Sequence, residues 1–99
     1  MKIIEKDDHT ELVFSGKIAG TVISGMMAKL ESFRYDKDVI IDMKNVDIID
    51  SVGIGLCMTI YNELNQKGKT LKVVNLSNDI YELFQFMNIE NHFEIEKAE

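Results

Sequence analysis

The run Asp38-Val39-Ile40-Ile41-Asp42-Met43 narrows the choice of fold more than any other stretch of the chain. β-Branched side chains are stiff at χ1 and suit an extended, pleated backbone. Val39-Ile40-Ile41 shows no apolar–polar alternation, which predicts a strand covered on both faces, as at the centre of a parallel sheet. Parallel strands need long crossover connections, usually helical. The sequence has helical patterns on both sides of the run.

Before it, Ile23, Met26, Met27, Leu30 and Phe33 recur at three- and four-residue steps and predict a helix from Thr21 or Ser24 to Phe33, with Gly20 and Gly25 weakening its start. After it, and after the apolar pair Ile48-Ile49, Asp50-Ser51 reads as a capping pair that opens a helix to about Gln66, stopped by Gly68. Ile54, Cys57, Met58, Tyr61 and Leu64 mark the core stripe of that helix, while Ser51, Gly55, Thr59 and Asn62 form a small, polar face open to a partner. Residues 70–75 predict another strand. Ser77 then caps a last helix carrying Ile80, Leu83, Phe84 and Met87 at helical spacing. At the start, Ile3-Ile4 and residues 11–15 read as strands joined by the turn Asp7-Asp8-His9-Thr10, the second bounded by Gly16. Residues 92–95 read as a closing edge strand. The order β-β-α-β-α-β-α-β predicts an α/β fold: a mixed, mainly parallel sheet of about four to five strands with helices packed on it.

The 99 residues suit one domain, residues 1–99, and 45% hydrophobic against 28% charged residues suits a folded chain. Asp+Glu 17 against Lys+Arg 11 gives a net charge of -6, which disfavours nucleic acid and anionic membrane surfaces. No run of about 18 apolar residues calls for membrane insertion. One cysteine forms no intrachain disulfide and two histidines are few for a structural zinc site, so no cofactor or metal is expected and the context reads as reducing and cytoplasmic.

Gly68-Lys69-Thr70 resembles the end of a phosphate-binding loop, but Glu63 stands where its first glycine belongs and a strand follows instead of a helix. Gly53-Ile54-Gly55 opens like a dinucleotide fingerprint that Met58 fails to complete. Ile49 and Gly53 flank Ser51 where a nucleophile elbow needs two glycines. Cys57 lies on the apolar stripe with nothing basic near it on the helix, and His9 and His92 read as solvated polar residues. No catalytic set emerges, and the chain reads as a non-enzyme.

Asp50-Ser51-Val52-Gly53-Ile54-Gly55-Leu56 is the segment with functional promise. A helix N-terminus offers unpaired N–H groups and a favourable dipole to a phosphate. Gly53 and Gly55 would let a partner's backbone come close to Ser51. The same residues also suit a plain capped helix packed closely on a sheet, and composition and spacing leave both readings open.

The stretch VIIDMKNVDIIDSVGIGL, Val39 through Leu56, resembles the signature of the STAS domain, the bacterial anti-sigma factor antagonist family. The resemblance runs from about Glu11 to Ile95: Gly16 with Ile18 is similar to the family's Gly-x-Leu-Asp opening, Gly68 to its helix end, and Leu76-Ser77 with Leu83-Phe84 to its last helix. It implies a STAS fold and phosphorylation of Ser51, the serine after the aspartate, by a cognate serine kinase that is itself the anti-sigma factor. It further implies removal of the group by a PP2C-type phosphatase. The expected behaviour is partner switching: the unphosphorylated protein binds the kinase and the phosphorylated one releases it. Asp50, Ser51, Val52, Gly53 and Gly55, with Lys17, Gly20 and Thr21 at the rim, are the expected partner contacts. The family's aspartate is replaced by Ala19, which removes a carboxylate from beside the serine. Family members also act in secretion, biofilm control or lipid transport. The rival expectation is therefore an accessory subunit bound to a transporter ATPase, with Ser51 only a helix cap.

Overall fold

A computed structural model describes residues 1–99. The elements in chain order are β1 (Lys2–Glu5), β2 (His9–Ile18), α1 (Val22–Leu30), β3 (Asp38–Ile49), α2 (Ser51–Gln66), β4 (Leu71–Leu76), α3 (Asn78–Phe86), a 3-10 turn (Ile89–Asn91) and β5 (Glu94–Lys97). They form a five-stranded sheet in the order β1-β2-β3-β4-β5. β1 is antiparallel to β2, and every other pair is parallel. Element order and mixed, mainly parallel pairing follow the sequence expectation.

The strand order explains where the helices lie. Each crossover from β2 onward moves one strand over in the same direction, and right-handed connections then place α1, α2 and α3 on one face. Burial records this. Leu12 and Phe14 of β2, Val39, Ile41 and Met43 of β3, and Leu71 and Val73 of β4 are buried, while Val13, Ile40, Asp42, Lys72 and Val74 between them are only half-buried. β3 is central but not covered on both faces, contrary to the expectation from its β-branched run. Periodicity of residue type failed there because Ile40 is apolar on a face that no helix covers.

Several boundaries also differ. β2 takes in His9 and Thr10, expected in a turn, because they pair with Asp38 and Val39. It also runs past Gly16, which adopts φ +73 near two register shifts instead of ending the strand. β3 continues through Ile49, so the pair Ile48-Ile49 belongs to it. α1 stops at Leu30, leaving Phe33 in the following loop, where it packs edge-on against Tyr35 with ring centroids 4.7 Å apart.

The core is a cluster of 24 buried residues between sheet and helices. α2 contributes Ile54, Leu56, Cys57, Ile60 and Leu64, whereas Met58 and Tyr61 flank this stripe half-buried. Met26 turns inward and Met27 is 47% exposed, so the pair divides between core and surface. Ile80 and Phe84 anchor α3, while Leu83 is half-buried and Met87 is exposed beyond the helix end.

Candidate functional site

β2, β3 and β4 run in the same direction, and each leads within a few residues into a helix. The first turns of α1, α2 and α3 therefore gather at the C-terminal edge of the sheet. The three starts are built differently.

At α2 the cap is Asp50, in extended conformation, whose carboxylate accepts from the Gly53 N–H at 2.9 Å. Its backbone continues the strand, since its N–H donates to the Ile18 carbonyl at 3.4 Å. Ser51 is thus the first helical residue, exposed, and its hydroxyl takes part in no side-chain hydrogen bond. At α3 the serine itself is the cap: Ser77 Oγ accepts from the Ile80 N–H at 3.3 Å. At α1 Thr21 occupies the cap position without a side-chain bond, after an exposed Gly20 at φ +58.

The glycines of the α2 turn have separate jobs. A Cβ on Gly53 would lie 2.3 Å from the Ile18 carbonyl oxygen and 2.7 Å from Ile49 Cγ1, so α2 seats on β2 and β3 only because that residue has no side chain. Gly53 is buried, and its smallness serves the chain's own packing. Gly55 is exposed, and a Cβ there would meet nothing within 4 Å, so internal packing does not require a glycine at that position.

Exposed apolar side chains stand at the end of β3 and at the starts of α1 and α2. Val52 is 53% exposed, Ile48 56% and Val22 47%. Lys17 pairs in register with Ile48, one step before the buried pair Ile18 and Ile49, which puts Lys17 and Ile48 side by side on the uncovered face near this edge. Ala19 is 6% exposed, so no carboxylate stands at that position. Sequence reasoning missed Ile48 and Val22 as surface residues. Strand alternation, which turns Ile48 opposite to Ile49, was the signal for the first.

Burial pushes the Cys57 thiol up to about 12, which keeps it protonated. His9 sits at the other end of β2, where bonds to Glu11 and then Asp8 raise its pKa. No helix is long and apolar enough to cross a membrane.

The family model described as STAS domain matches residues 1–99. The anti-sigma-B factor antagonist of Listeria monocytogenes is 26% identical over 102 residues, covering 100% of this chain and 90% of that protein. The protein of the same name from Staphylococcus aureus is 26% identical over 88 residues, covering 87% and 82% respectively. The structure of the anti-sigma factor antagonist SpoIIAA in its unphosphorylated form superposes with a TM-score of 0.76 at 18% identity, covering 99% of this chain and 88% of that one, which shows a shared fold.

Proposed function

The chain belongs to the STAS domain family, and from that premise we propose that it is an anti-sigma factor antagonist that works by partner switching. In its unphosphorylated form it binds a serine kinase that is also the anti-sigma factor, through the Ser51 turn and the surface around it. The kinase phosphorylates Ser51 and is released, and a PP2C-type phosphatase resets the cycle. The protein acts by binding and not by catalysis.

One observation carries the proposal: Asp50 does the capping of α2, so the Ser51 hydroxyl is exposed and uncommitted. A phosphate there adds about -1.5 to -2 charge at pH 7. The helix N-terminus favours that charge, worth roughly 0.3–1 kcal/mol at an exposed site, so the fold tolerates it. A partner seated on Val52 and Ile48 would have to desolvate the dianion, and that penalty exceeds the local gain. Release then needs no refolding. Lys17, Gly20 and Thr21, all exposed, form the rim of the contact, to which Ala19 brings no carboxylate. The relatives named above are anti-sigma factor antagonists, and none carries the name of a transporter subunit.

Titration of the cognate anti-sigma factor against native protein, Ser51→Ala and Ser51→Asp tests the reading. Ser51→Ala binds within a few-fold of native, and Ser51→Asp weakens binding about 100-fold, equivalent to roughly 2.7 kcal/mol. Equal affinity of Ser51→Asp and native protein would contradict it.

A further inference from the structure

A groove of about 300 Å³ lies between α1 and α2. Met27, Leu30, Phe33, Tyr35 and Leu56 supply its apolar lining, and Met27 is 47% exposed. Tyr35 is buried at φ +53, a conformation that costs a bulky residue energy and is held here by its edge-on packing against Phe33.

The rim is charged and unbalanced. Glu31 and Glu63 line it, and neither takes part in an ion pair or a side-chain hydrogen bond. The one cation of the rim, Lys67, already donates to the Arg34 carbonyl. Burial, and then the charge of Glu63, raise the Tyr35 pKa, so its hydroxyl stays a neutral donor. An apolar cleft with two free carboxylates suits an apolar group that carries a cation. Arginine fits best, since its planar guanidinium donates two parallel hydrogen bonds to one carboxylate and stacks on aromatic rings.

The groove also adjoins the Ser51 edge. Ser51, Gly55, Thr59 and Glu63 are all exposed and follow one another at four-residue steps, a single row down α2. At 1.5 Å per residue that row is about 18 Å long, within the width of an ordinary protein interface.

We propose that the α1–α2 groove is a second contact for the protein that binds the Ser51 edge, and that it takes an apolar side chain from a segment of that partner whose neighbouring arginine pairs with Glu63 or Glu31. The identity of the partner rests on the proposed function, whereas the chemistry of the groove does not. The Ser51 edge governs release, and the groove adds affinity that phosphorylation leaves untouched.

The probe is the blocked peptide acetyl-Leu-Ala-Ala-Arg-amide, titrated into ¹⁵N-labelled full chain and followed by amide shifts, with the Arg→Glu peptide as control. The arginine peptide shifts the amides of Met27, Tyr35 and Glu63, the control binds at least about fivefold more weakly, and the Glu31→Gln/Glu63→Gln chain loses a similar factor. Met27→Ser, a second exposed substitution, weakens binding by its apolar part. Ser51→Asp binds the peptide like native protein, so failure of the switch and failure of the groove read out separately. No shifts, shifts elsewhere, or equal binding of the two peptides would overturn the proposal. So would concentration-dependent shifts at the same amides without peptide, which would make the groove a contact between copies of this chain.

Discussion

Ser51 and Ser77 stand at the same edge of the sheet, each at the start of a helix, yet they are used differently. Ser77 is the cap of α3, and its oxygen is spent on the Ile80 N–H. Ser51 lies one residue inside α2 because Asp50 holds the Gly53 N–H, which leaves the serine hydroxyl free and exposed. The difference shows how a fold leaves a hydroxyl uncommitted: a neighbour takes over the structural task. Gly53 and Gly55 divide the same way, one consumed by packing against Ile18 and Ile49, the other open.

Substitutions can break that comparison, and the glycine pair has the largest expected effect. Gly53→Ala forces a methyl into the Ile18 carbonyl and should destabilise the fold by about 3 kcal/mol in urea unfolding, the upper end for overpacking. Gly55→Ala should be neutral or stabilising by up to about 1 kcal/mol, since alanine favours a helix interior. Equal losses at both would mean that α2 does not seat as described. The caps come next. Asp50→Ala and Ser77→Ala should each cost about 1 kcal/mol, the usual value of a capping side chain. Smallest is Ser51→Ala, expected within about 0.5 kcal/mol of native, as for a surface change away from special features. A loss equal to that of Ser77→Ala would show that Ser51 has a structural task after all.

The element order and the Asp50-Ser51 helix start were legible in the sequence because capping residues and helical periodicity are local signals. Long-range terms were not. The number of covered faces on β3 depends on crossover hand, which no residue within the strand reports, so Ile40 misled. The continuation of β2 through Gly16 depends on pairing with β3. At the site, spacing gave Gly53 and Gly55 the same meaning, and only the approach of β2 separated them. Tyr35 and the groove it lines were out of reach, since they arise from loop residues brought between two helices.

The central claim, that Ser51 is the hydroxyl set aside for modification, is tested most directly by incubating the protein with ATP and the serine kinase that the proposed function calls for. Intact-mass analysis and site mapping then read the product. The account predicts one added phosphoryl group, about 80 Da, on Ser51, and none on the Ser51→Ala protein. A phosphoryl group mapped to Ser77 or Thr21, or equal labelling of the Ser51→Ala protein, would contradict it.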